Sequence, residues 1–88
     1  MNKATAYAIL AEELETWRRK GAGELAALAG QPAYSREVEA GGELLRIEVA
    51  VSWADTTREN LKVEAVANGP SNWQMERVVE RIILPVTY

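Results

Sequence analysis

The stretch Leu45-Arg46-Ile47-Glu48-Val49-Ala50-Val51-Ser52-Trp53 decides the fold of this chain. Leu45, Ile47, Val49, Val51 and Trp53 fall on alternate positions, with Arg46, Glu48, Ala50 and Ser52 between them. A period of two belongs to a β-strand with one dry face and one wet face. Each inward side chain contributes on the order of 1.5 to 3 kcal/mol once it is covered. A bare strand forfeits that gain, so the rest of the chain has to supply strand neighbours and a cover.

The neighbours lie on either side in sequence. Tyr34 to Glu39 reads as a short strand, and Ala40-Gly41-Gly42 as the turn of a hairpin, because glycine accepts the positive φ angles that tight hairpins need. Asp55 to Asn60 is a polar loop. Leu61, Val63, Ala65 and Ala67, alternating with Lys62, Glu64 and Val66, form a third strand that ends at Asn68-Gly69-Pro70. The expectation is an antiparallel three-stranded meander, with Arg46, Glu48, Lys62 and Glu64 pairing across strands on its wet face.

The cover comes from the N-terminal third. Tyr7, Leu10, Leu14 and Trp17 recur at spacings of three and four, with Glu12, Glu13, Glu15, Arg18 and Arg19 between them, so an amphipathic helix runs from about Lys3 to Lys20. Gly21 and Gly23 interrupt it. Glu24 to Ala29 is a short second helix, with Gly30 as its cap and Pro32 as its stop. Both helices are expected on one face of the meander, giving an α+β fold.

Ser71 to Pro85 supports two readings. Met75, Val78, Val79, Ile82 and Ile83 have helical spacing, and Ser71 with Gln74 resembles a capping box. Against this, four of those five residues are β-branched, and Glu76/Glu80 and Arg77/Arg81 would be like-charge pairs four apart. The helix is favoured, with a fourth strand as the alternative.

Composition sets the limits on function. The chain has 88 residues, enough for one small domain over residues 1–88, and is 48% hydrophobic and 26% charged, which suits a soluble globular protein. It contains no histidine and no cysteine, the side chains that most often serve as general base, nucleophile or transition-metal ligand near neutral pH. Without cysteine there is no disulfide framework either. Ten Lys and Arg against thirteen Asp and Glu give a net charge of −3, unsuited to a nucleic-acid partner. The uncharged run Ala4 to Ala11 is too short to span a membrane and lacks a cleavage site, so a cytoplasmic location is expected.

The run Glu24-Leu25-Ala26-Ala27-Leu28-Ala29-Gly30 with Pro32 continues into Arg36-Glu37-Val38, a glycine turn and Ile47-Glu48-Val49. Trp53-Ala54-Asp55 and Leu61-Lys62-Val63 follow. Over residues 24 to 67 this pattern resembles a group of short uncharacterised bacterial proteins. The resemblance implies an α+β scaffold and brings no activity with it. The group's aromatic C-terminal strand and Pro-Asp-Gly turn are only partly matched by Pro85-Val86-Thr87.

Candidate sites are few. Trp53 beside Asp55, the chain's sole aspartate, is a possible ligand cleft, although a strand-end tryptophan and a loop-opening aspartate have ordinary structural roles. Asp55, Thr57, Glu59 and Asn60 offer oxygen ligands but lack the spacing and central glycine of a calcium loop. Glu12/Glu13 and Glu37/Glu39 fall at positions expected to be wet, where paired carboxylates keep similar acidities. Arg18, Arg19 and Lys20 suit the negative end of a helix dipole, and Ser35, Ser52 and Ser71 have no histidine to activate them. Trp73 follows a turn and, outside the core, would anchor a protein interface.

These features point to a non-catalytic domain without metal or cofactor that binds a protein partner or forms a homodimer. The alternative is a small-ligand-binding domain or minor enzyme with its cleft near Trp53 and Asp55.

Overall fold

The computed structural model describes residues 2–69 and 77–86. Two helices, α1 (Lys3–Arg18) and α2 (Ala22–Leu28), precede four strands, β1 (Tyr34–Ala40), β2 (Glu43–Trp53), β3 (Asn60–Asn68) and β4 (Arg77–Pro85). The strands form one antiparallel sheet in the order β1-β2-β3-β4. The fold is therefore α+β, with a fourth strand where the C-terminal helix was favoured. Trp73, Met75 and the Ser71/Gln74 capping box lie outside the described residues.

The physical reason for the correction is visible in the register of β4. Val78, Ile82 and Leu84 stand opposite Ala67, Val63 and Leu61 on the helix-facing side, where Val78 is 3% exposed. Val79 and Ile83 stand opposite Val66 and Lys62 on the other side. The β-branched residues thus line both faces of a strand instead of one stripe of a helix. The same arrangement separates the charges, placing Arg81 opposite Glu64 at 3.9 Å.

Local chemistry sets the element boundaries. Asn2 caps α1, its side-chain oxygen accepting the Thr5 amide at 3.1 Å. Gly21, with φ 84°, turns the chain between the helices. Gly30, after α2, donates its amide to the Val51 carbonyl at 3.1 Å and so ties the helical layer to β2. Ala40 pairs with Glu43 across the two-residue turn Gly41-Gly42, whose φ angles of 58° and 79° suit glycine at both positions.

The inward row of β2 is dry: Leu45, Ile47, Val49 and Val51 are buried, and Trp53 packs half-buried against their cluster. The cover is shared between the helices. α1 lies mainly over β3 and β4, and α2, through the buried Leu25, over β2 and β3. Widening the sheet by one strand moves its middle toward β3, which is where the longer helix settles. Ala6, Ala65 and Ala67 are all fully buried, small side chains that let helix and sheet approach closely.

The buried stripe of α1 differs from the expected one. It consists of Ala6, Leu10, Glu13, Leu14 and Trp17, and Tyr7 is 45% exposed. Glu13, expected to be wet, is buried, for a reason that lies on the opposite element, β1. On the sheet face away from the helices Arg46 pairs with Glu48 along its own strand at 3.3 Å and donates to the Ser35 hydroxyl at 3.1 Å.

Candidate functional site

Three places combine polar chemistry with a defined shape. The first is the loop after β2. Asp55 Oδ1 accepts the Glu59 amide at 2.9 Å and the Asn60 amide at 3.4 Å, and Oδ2 accepts the Asn60 side-chain amide at 2.7 Å. The Asn60 side chain and these amides hold the Asp55 carboxyl below the usual carboxylate range. Trp53 carries the Arg58 guanidinium over its ring at 6.0 Å, and Arg58 itself takes the left-handed backbone, with φ 58°. Trp53 and Asp55 are thus close in the fold, but the carboxylate is spent on the loop's own amides. Thr57 and Glu59 share this loop, yet no cluster of metal-ligating side chains occurs among the described residues.

The second is an ion-pair cluster between α1 and β1. Pairing Ala40 with Glu43 places Arg36 opposite Ile47, on the helix-facing side of the sheet. Its guanidinium reaches Glu13 Oε2 from Nε at 3.1 Å and from Nη2 at 2.6 Å. The other carboxylate oxygen accepts the Trp17 indole N–H at 3.1 Å. Tyr34 packs a tilted ring on Trp17 at 5.9 Å, and the Lys20 ammonium sits 5.3 Å from the same ring. The hydrogen bonds to Glu13 push the Arg36 pKa above its ordinary value. With both oxygens of Glu13 engaged, the cluster clamps the end of α1 to the edge of the sheet.

Sequence reasoning missed this cluster. Its signal was present, since Glu13 is seven residues after Ala6 and four before Trp17 on one helical stripe, and a two-residue turn already implied that Arg36 points inward.

The third is a groove of about 520 Å³ between α1 and β4. Tyr7, Ala11, Leu14, Glu15 and Arg18 form its helical wall, and Glu80, Arg81 and Ile82 its floor and rim. β4 is an edge strand, and no other described strand pairs with its outer side. Such an edge presents unsatisfied N–H and C=O groups to whatever lies beside it. Smaller grooves are lined by Asn2, Thr5, Ala40 and Leu45 near the hairpin turn, and by Glu37, Leu44, Arg46 and Asn68 on the sheet face away from the helices. Neither Trp53 nor Asp55 lines any of the three.

The two edges of the sheet differ. β1 carries Glu37 and Glu39 outward and Arg36 inward, charges that discourage strand pairing. β4 carries as many charges, Arg77, Glu80 and Arg81, but sets them among the large apolar residues Val78, Val79, Ile82, Ile83 and Leu84, and Ile83 is 50% exposed. No described helix is long and apolar enough to cross a membrane. The chain matches no protein-family model, no curated protein and no solved structure.

Proposed function

We propose that this chain is a non-catalytic protein-interaction domain that binds by adding a strand to the β4 edge, with side chains entering the α1–β4 groove. The observation that carries the reading is the groove itself, an apolar-lined channel running beside a β-branched edge strand whose outer side no other described strand pairs. Strand addition draws affinity from main-chain hydrogen bonds and specificity from pockets for alternate side chains. Tyr7, Leu14 and Ile82 supply apolar surface for those side chains, while Glu15, Arg18, Glu80 and Arg81 supply a charged rim.

The absence of histidine and cysteine supports a non-catalytic role, as does the engagement of Glu13 and Asp55 in structural hydrogen bonds. A ligand cleft at Trp53 and Asp55 has less behind it, because Asp55 already accepts three hydrogen bonds within its loop. The likeness to short bacterial proteins over residues 24 to 67 concerns the scaffold and omits both walls of the groove.

Panning a library of extended peptides against the dilute full-length chain tests the reading. Binding is expected to be lost in Ala11→Arg, which fills the groove from an exposed helix position, and to persist in Asp55→Ala. Peptides that bind Ala11→Arg as well as they bind the wild type would remove the basis for it.

A further inference from the structure

Resting on the reading of the β4 edge as a protein contact, we infer that its occupant is a second copy of this chain, paired β4 to β4 in an antiparallel two-fold dimer centred on Ile82. Among the described residues, exposed apolar groups flank the β4 edge in two layers. Tyr7 is 45% exposed in the helical layer and Ile83 is 50% exposed on the sheet. A lone peptide strand reaches the helical layer only through the side chains it sends into the groove, whereas a second copy extends both layers with its own strand and helix.

The spacing of the two layers agrees. Paired strands stand about 4.8 Å apart. With α1 over β3 and β4, the two α1 helices of such a dimer lie about 10 Å apart across the axis, the distance at which helices pack. Ala11, a small residue on the groove side of α1, leaves room for that approach.

Charge selects the register. A two-fold axis perpendicular to the sheet keeps both helical layers on one side, so residues that face the same way must stand opposite each other. A register centred on Glu80 sets Glu80 against its own copy, one centred on Arg81 sets Arg81 against its own copy, and one centred on Val79 sets Arg77 against Arg81. Like charges directly opposite are unfavourable. Centring on Ile82 gives the longest pairing within β4 that avoids them. It places Ile82 against Ile82, Arg81 against Ile83 and Glu80 against Leu84.

The chain has no cysteine, so single-cysteine variants report on this geometry without background. Light scattering of the wild type across a dilution series is expected to show the mass rising from one chain to two. Oxidised Ile82→Cys is expected to form a disulfide-linked dimer, since opposed strand positions bring Cβ atoms within bridging reach, whereas Val38→Cys on β1 is expected to stay monomeric. Ala11→Arg, folded as judged by an unaltered far-ultraviolet spectrum, is expected to weaken association about tenfold or more. The cysteine pair gives its answer even if Ala11→Arg does not fold.

A chain that stays monomeric at every concentration yet binds panned peptides in an Ala11-sensitive way overturns the dimer and leaves the strand-addition reading standing. A monomer that binds none of them overturns both. A dimer that cross-links through Val38→Cys and not through Ile82→Cys overturns the proposed interface.

Discussion

Glu13 and Arg36 show how a charged pair is placed inside a small protein. Glu13 has a side chain only 9% exposed, whereas that of Arg36 is 42% exposed, so the partners do not suffer equally when separated. Removing Arg36 strands a carboxylate in the interior; removing the charge of Glu13 leaves a guanidinium that water can reach. Arg36→Met is therefore expected to cost about 2 to 3 kcal/mol and Glu13→Gln, which keeps an acceptor for the Trp17 indole, about half of that, read as denaturation midpoints in urea. Equal losses would show that the pair is hydrated in solution. Asp55 makes a different prediction. Its carboxyl is held below the usual range, chiefly by Asn60, so the stability it contributes is present above its unfolded pKa and disappears as pH falls through the lower folded value. Asp55→Ala should leave the fold intact, and its deficit against wild type should be constant near neutrality and shrink in acid. A deficit that does not change with pH would assign the loss to packing.

At the scale of elements, β4 is where helix and strand signals competed. The spacing of Val78, Val79, Ile82 and Ile83 satisfies a helical stripe, but it equally satisfies a strand at the edge of a sheet with apolar residues on both faces. A strand and a helix make opposite demands on Val78 and Ile83. In the strand Val78 is buried opposite Ala67 while Ile83 lies half exposed opposite Lys62. Val78→Asp is thus expected to cost about 3 kcal/mol or more, and Ile83→Asp in dilute protein less than about 1 kcal/mol, measured by chemical denaturation. Similar large losses at both sites would restore the helix. The β1–β2 hairpin was easier to read, because two consecutive glycines between alternating runs specify both the turn and, through it, the register.

At the scale of the whole molecule, one core joins every described element: Leu10 and Trp17 of α1, Leu25 of α2, Val49 of β2, Val63 of β3 and Val78 of β4 belong to a single buried cluster, and Val38 of β1 packs against it. No described element retains a core of its own if the centre is lost. Val49→Asp, which buries an unpaired charge where the native side chain is 1% exposed, is expected to abolish the cooperative thermal transition seen by circular dichroism. A melt close to that of the wild type would mean that β2 is not the centre of the core. The two edges of the sheet carry the functional contrast. β1 is clamped to α1 through Arg36, and β4, richer in large apolar side chains, runs beside an open groove.

The α+β class, the first three strands, the glycine hairpin and the helical cover could be read from the amino-acid order alone, because alternation and three-to-four spacing are local properties that short-range sterics convert directly into strands and helices. The state of residues 77–85, the burial of Glu13 and the groove beside β4 were settled only when the elements packed. Whether an apolar run becomes strand or helix depends on an open neighbour at β3, whether a glutamate can be dry depends on an arginine 23 residues away, and a groove exists only between two surfaces that the sequence lists far apart.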